Sequence, residues 1–240
     1  MDSNKPSILF LITARGGSKG LPGKNIRTFC RKPLSCWTIE TALKSKFGGK
    51  VIVSTDSDEI ATIALNAGAE VPFLRPAKLA KDSSSSVDVV LHAISWFEKQ
   101  KQIFDLVVLL EPTSPLRDEA DIDLAIEVLL RNKKAQSMVG VARAETAHPA
   151  FMATMKNKFL IPFQKNSFSS KRRQEISDVY FFEGSLYISR IDALKKKKKF
   201  YHDKTLGHVM PKWKSYEIDD LTDFILVEKL MEEKLKGSFR

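Results

Sequence analysis

The 240-residue sequence predicts an α/β fold: a mainly parallel sheet covered by helices on both faces. Three observations predict it. Strand-like apolar runs alternate with helix-period segments from Ile8 to Val141. The connections between them are short. The run Leu106–Leu110 is near-continuously apolar, as expected of a central parallel strand buried on both faces.

In chain order, Ile8–Ala14 reads as a buried strand. Pro33–Ser45 reads as a helix with Leu34, Trp37, Ala42 and Leu43 near one face, and Val51–Thr55 as a second strand. Ser57–Ala67 is a helix whose N-terminus carries Ser57, Asp58 and Glu59, favourable at the positive end of the dipole, with Gly68 as its C′ residue. Glu70–Leu74 reads as a third strand. Val87–Gln100 is a strongly amphipathic helix, with Val87, Val90, Leu91, Ile94 and Phe97 at helical spacing. Beyond strand Leu106–Leu110 come helix Glu119–Leu130 and strand Ser137–Val141. The rhythm then breaks, and 143–182 reads as an insertion, a β-arm or flap suited to packing on a partner subunit. Gly184–Ser189 returns to strand character, Thr205–Met210 and Lys214–Ile218 are short strand candidates, and Asp220–Lys234 is a final amphipathic helix in which Asp220 and Asp223 suit the helix start.

Composition narrows the class. Hydrophobic residues make up 43% of the chain, with 15 Phe, enough for a packed core and contrary to disorder. No apolar run approaches the ~20 residues of a membrane span, and Ile8–Ile12 lacks the flanks of a signal peptide. With only Cys30 and Cys36, a reducing cytoplasm is the expectation. Lys and Arg total 39 against 29 Asp and Glu, a net +10 that fits an anionic partner without choosing one. Five of those charges form the run Lys195–Lys199, read as a solvated turn or helix end.

In such sheets a ligand sits beyond the carboxyl ends of the strands. The loop there after the first strand is Ala14-Arg15-Gly16-Gly17-Ser18-Lys19-Gly20-Leu21-Pro22-Gly23-Lys24-Asn25. It holds four glycines and three cations within eleven positions. Glycines let backbone N–H groups close on an anion, and cations neutralise it, which is polyphosphate-binding chemistry. The loop is neither a Walker A motif, since Ser18 and Asn25 stand where Gly and a hydroxyl are required, nor Gly-x-Gly-x-x-Gly. The four histidines show no metal spacing, and Cys30 and Cys36 form no Cys-x-x-Cys pair.

The loop resembles the signature of the acylneuraminate cytidylyltransferase family, the CMP-sialic acid and CMP-nonulosonic acid synthetases. The likeness continues through Val53-Ser54-Thr55-Asp56-Ser57, then Arg75-Pro76 with Leu79-Ala80, Asp82 and a serine cluster, then Pro112-Thr113-Ser114-Pro115-Leu116-Arg117. Arg172-Arg173-Gln174-Glu175, Gly184-Ser185-Leu186-Tyr187 and Glu217-Ile218-Asp219 complete it. It spans nearly the whole chain, so 1–240 reads as one domain carrying the insertion.

The resemblance implies the Rossmann-like fold of nucleotide-diphospho-sugar transferases, with the insertion serving as a dimerisation arm. It implies a reaction in which the anomeric hydroxyl of the sugar attacks the α-phosphorus of CTP and releases pyrophosphate. Arg15 and Lys24 then hold the triphosphate as catalytic cations, aided by Lys19. Ala14, Gly16, Ser18 and Asn25 bind the nucleotide, and Ser83 or Ser84 supplies a hydroxyl. Glu111, Thr113, Ser114, Arg173, Glu175 and Tyr187 are the sugar-side candidates, Arg173 facing the sugar carboxylate. Mg²⁺ takes oxygen ligands and often only one or two protein carboxylates, and the resemblance assigns these to Glu217 and Asp219. The implied partners are CTP, an acidic nine-carbon sugar and a second copy of the chain, with neither membrane nor nucleic acid.

Two residues depart from the family pattern. Glu111 stands where its sialic-acid enzymes commonly carry Gln, and Glu183 where Asn commonly precedes Gly-x-x-Tyr. Both fall on the sugar side, and the departure points to a non-sialic nonulosonic acid of the legionaminic type. A non-catalytic CTP-binding relative and a basic nucleic-acid-binding protein are the competing readings.

Overall fold

The computed structural model describes residues 5–145, 147–164 and 176–239. In chain order the elements are β1 (Ile8–Thr13), β2 (Thr28–Phe29), β3 (Lys32–Pro33), α1 (Leu34–Leu43), β4 (Lys50–Ser54), α2 (Asp58–Asn66), α3 (Ser86–Lys99), β5 (Leu106–Leu110), α4 (Glu119–Arg131), β6 (Ser137–Arg143), β7 (Ala153–Lys156), β8 (Phe159–Pro162), β9 (Tyr180–Arg190), α5 (Ile191–Lys197), β10 (Thr205–Val209) and α6 (Leu221–Leu235). Six strands form one sheet in the order β10-β6-β9-β5-β1-β4. The pairs β1–β4, β1–β5 and β10–β6 are parallel. β9 runs antiparallel to both its neighbours, β5 and β6.

Alternation along each central strand sorts its side chains into two cores. Ile8, Phe10 and Ile12 of β1, with Leu106, Val108 and Leu110 of β5, pack beneath α1, α2 and α4, against Ile39, Ile60 and Ile126. Leu9, Leu11, Val107 and Leu109 face the other way, onto Val90, Ile94 and Phe97 of α3 and Leu194 of α5. A third cluster joins α6 to β2 and the start of α1 through Phe224, Val227, Phe29 and Leu34, and takes in Leu21, Leu116 and Ile218. This cluster ties the glycine-rich loop, the Pro-Thr-Ser-Pro-Leu-Arg loop and the segment before α6 to one another.

Local signals act as the sequence requires. The Ser57 hydroxyl accepts from Ile60 N–H at the start of α2, and Gly68 after it takes φ +93°. Asp220 and Asp223 form a reciprocal capping box at α6.

Three expectations need correction. Glu70–Leu74 makes only isolated bridges, to Ile52 and Thr55. Pro72 within it has no N–H to give a ladder. Lys214–Ile218 is not a strand: a 3₁₀ turn covers Lys212–Lys214. The segment is fixed instead by the Lys214 ammonium, 2.7 Å from both Asp118 and Asp121, and by Ile218 N–H donating to Thr113 O. Within the expected insertion, β9 begins at Tyr180, so Tyr180–Phe182 belong to the main sheet paired with Arg143–Val141. The run Lys195–Lys199, read as a solvated turn or helix end, closes a short helix, α5. Its Ile191 and Leu194 are buried, and Lys195–Lys197 form its exposed last turn.

Candidate active site

The carboxyl ends of β1 and β5 open into a cleft of about 240 Å³. One wall is the glycine-rich loop with Arg15, Ser18, Lys24 and Asn25. The opposite rim carries Glu111, Thr113, Glu217 and Asp219. Arg75 and the 79–86 segment close the third side.

The loop is held in shape by its surroundings. Asp56 accepts from Gly16 N–H at 2.9 Å, and the buried Asn25 amide donates to Arg15 O at 3.0 Å. Gly23 sits at φ +65°, a conformation that favours glycine. A side chain at Gly20 would collide with the carbonyl of Asp219. The loop and the acidic segment therefore touch backbone to backbone.

Lys24 bridges the two walls. Its ammonium donates to Ile218 O at 2.6 Å and lies 3.6 Å from the Asp219 carboxylate. Asp219 is otherwise open to solvent, its side chain 86% exposed. The Glu217 carboxylate accepts from Gly184 N–H, and the missing side chain of Gly184 makes the space it occupies. Arg15 and Lys19 both ion-pair with Asp82, Lys19 at 2.6 Å.

Beneath the acidic rim lies a charged cluster. Arg117 is 1% exposed, and its guanidinium donates to Ser114 O, Glu111 O and the Thr38 hydroxyl at 2.7–2.9 Å. Burial lowers its pKa to about 10, against the pull of Glu183 and Glu111. Glu183 is 2% exposed; its carboxylate accepts from the Ser185 hydroxyl and N–H and fills the space left by Gly140. Burial raises Glu183 to about 7. Burial also raises Glu111 and Glu217, and each is pushed further by its acidic neighbours. Arg75 is lowered to about 10 by burial and bonds to the carbonyl and hydroxyl of Ser54.

The arrangement pairs a cationic, glycine-rich wall with an acidic one. It can neutralise a polyphosphate on one side and present carboxylate oxygens to a cation on the other. Among the described residues no group of three or more His, Cys, Asp and Glu forms a metal cage. Glu217 and Asp219 are hard oxygen donors on an open rim, which suits an ion completed by water and phosphate.

The sequence model of the family described as Cytidylyltransferase matches residues 9–235. The chain belongs to this cytidylyltransferase family. It is therefore a nucleotidyltransferase enzyme. It is 35% identical over 232 residues to the CMP-N,N'-diacetyllegionaminic acid synthase of Legionella pneumophila, covering 94% of this chain and 96% of that one. It is 34% identical to the N-acylneuraminate cytidylyltransferase of Escherichia coli, covering 96% of this chain and 53% of that protein. The fold matches a CMP:2-keto-3-deoxy-manno-octonic acid synthetase complexed with CTP, with TM-score 0.69 and 17% identity over 95% of this chain and 99% of that one.

In this cytidylyltransferase the cleft gathers most of the residues singled out from the sequence. Arg15, Ser18, Lys24, Asn25, Ser84, Glu111, Thr113, Glu217 and Asp219 line it. Lys19 reaches its edge through Asp82. Gly16 and Ala14 act by backbone, the latter donating to Ser54 O. Ser83 is exposed and outside the lining. Ser114 is fully buried below the rim, its hydroxyl without a partner among the described residues. Tyr187 packs on the α3 side of the sheet, against Phe200 and Tyr201, rather than in the cleft. Arg173 and Glu175 lie outside the described residues. Sequence reasoning passed over Arg75, Asp82 and Arg117 as site residues. Arg75-Pro76 after a strand-like run was the available signal for the first; nothing local marks an arginine as buried.

Proposed function

We propose that this cytidylyltransferase transfers CMP from CTP to the anomeric hydroxyl of a nonulosonic acid, an acidic nine-carbon sugar, and releases pyrophosphate. One observation carries the reading. The cationic glycine-rich loop and the acidic pair Glu217 and Asp219 face each other across a single cleft at the carboxyl ends of parallel strands. Nucleotidyl transfer is catalysed mainly by positioning and by charge stabilisation where charge develops. Arg15, Lys19 and Lys24 are in place to hold the triphosphate and the departing pyrophosphate. Glu217 and Asp219 would hold Mg²⁺, whose chemistry is to neutralise phosphate charge.

The same two acids also line a neighbouring cavity of about 360 Å³ with Arg143, Phe181, Lys212 and Tyr216. This cavity, on the far side of the acids from the nucleotide, is the proposed sugar site; its wall carries Arg143, which pairs with Asp178, and Lys212, which pairs with Glu145 at 2.8 Å. The sialic and legionaminic activities named for the two relatives support the substrate class. The exposed β7–β8 hairpin, with Met155, Phe159 and Leu160 facing solvent, is the proposed contact of a homodimer. Cys30 and Cys36 are free thiols, and no described helix is long and apolar enough to cross a membrane; the thiols suit the cytoplasm.

The test is pyrophosphate release from CTP and Mg²⁺ with N-acetylneuraminic, legionaminic, pseudaminic and 3-deoxy-manno-octulosonic acids, with ATP, GTP and UTP as controls. CTP-dependent release with one acid supports the reading and names the sugar. A folded protein that binds no CTP overturns it.

A further inference from the structure

The phosphate end of the cleft already contains an anion, the carboxylate of Asp82. It ion-pairs with Arg15 and, at 2.6 Å, with Lys19, the two cations that reach it from the glycine-rich loop. These contacts hold the Asp82 carboxylate below its ordinary range, so it is charged at neutral pH.

The segment that bears Asp82 is anchored at both ends and self-contained between them. At its start, Arg75 N–H donates to Thr55 O at 2.6 Å and its side chain is buried against Ser54. At its end, the Ser85 hydroxyl caps α3. Within it, the Ser84 hydroxyl bonds to Lys78 O and Lys81 N–H. Asp82 belongs to this segment but pairs with the cations of the glycine-rich wall.

We propose that Asp82 is a built-in competitor for the polyphosphate, occupying the cations of the glycine-rich loop until a triphosphate displaces it and reclaiming them as pyrophosphate leaves. The proposal rests on the cleft's being the triphosphate site. A triphosphate carries several negative charges against the single charge of Asp82, so it wins the exchange, but at reduced net affinity because two ion pairs are given up. Asp82 thus sets nucleotide affinity and product release, without being needed for the chemical step.

The experiment is titration calorimetry of the full chain with inorganic tripolyphosphate, CTP and cytidine, without sugar, on wild type, Asp82→Asn and Asp82→Glu. Two exposed ion pairs predict that Asp82→Asn lowers the Kd for tripolyphosphate and CTP by about threefold to tenfold. Cytidine affinity stays unchanged, Asp82→Glu returns phosphate affinity towards wild type, and pyrophosphate inhibits Asp82→Asn more strongly. Asp82→Ala repeats the neutralisation in case the Asn variant is unstable. An unchanged or raised Kd for tripolyphosphate in a folded neutral variant overturns the proposal and leaves the cleft assignment standing. A folded wild type that binds neither tripolyphosphate nor CTP overturns the cleft assignment, and the proposal with it.

Discussion

Lys24 makes two contacts that serve different ends. Its bond to Ile218 O fixes the acidic segment against the loop, while its approach to Asp219 brings a fixed positive charge to the centre of the cleft. Lys24→Ala removes both. Losing one preorganised charge at a transferring phosphoryl group costs about 10²–10³ in rate, so kcat/KM for CTP should fall by that order, with the folded state retained by circular dichroism. Loss of less than tenfold would place Lys24 outside the chemistry. Arg117 is the opposite kind of residue. It does not line the cleft; it sits beneath it and compensates Glu183 and Glu111 where water cannot. Its guanidinium donates to Ser114 O, Glu111 O and the Thr38 hydroxyl, and each buried polar group left unpaired costs about 1–3 kcal/mol, so Arg117→Met should lower the urea midpoint by a matching amount. A small loss would show that the acids below the rim are solvated.

At the scale of elements, the acidic segment before α6 has no sheet neighbour, and its position depends on side chains. Lys214, buried between Asp118 and Asp121, pins it to the start of α4; Lys234 of α6 reaches Asp118 and the carbonyl of Leu116 beside it. Lys214→Met leaves Asp121 without its cation and Asp118 with Lys234 alone, and it frees the segment that carries Glu217 and Asp219. The expected result is a lowered thermal midpoint together with a raised Mg²⁺ concentration for half-maximal pyrophosphate release. Unchanged Mg²⁺ dependence would mean that the backbone bond from Ile218 to Thr113 positions the acids alone. This dependence also explains what the sequence could show. The central strands were legible because β1 and β5 are apolar on both faces, and α2 and α6 because Ser57 and Asp220 cap them. The glycine-rich loop was legible because its residues are contiguous. Glu70–Leu74 misled because apolar content marks burial but not pairing, and Pro72 interrupts the ladder. Only the end of α5 was legible, because seven residues, three of them Lys, show no usable period. Arg117 and Asp82 stand in the motifs that carry the resemblance but escaped as site residues, because burial under a rim, or an ion pair across a cleft, is made by the fold.

At the scale of the whole molecule, a chain of net charge +10 buries carboxyl groups with raised pKa around the cleft, and this ties stability to pH. Glu183 is the clearest case. Its folded value of about 7 lies above the ordinary 4.5, so between those limits the folded protein holds a proton that the unfolded chain has released. Stability from this group is present below 4.5 and is lost as pH rises through 7. Other groups pull the opposite way. His92, His202 and His208 are all lowered chiefly by burial, so they favour folding as pH rises towards 6.5. Asp118 is held low by Lys214 and Lys234 against its burial, and its contribution disappears on acidification. The raw pH profile therefore mixes opposing slopes, and a difference separates them. Glu183→Gln keeps an acceptor for Ser185 but cannot ionise. Subtracting the wild-type unfolding free energy from that of Glu183→Gln, in urea titrations from pH 5 to pH 8, cancels the histidine and Asp118 contributions. The difference should rise steadily in favour of the variant across that range and level off above pH 7. A flat difference would mean that Arg117 compensates the ionised Glu183 fully, and that the acids beneath the cleft carry no pH-dependent cost.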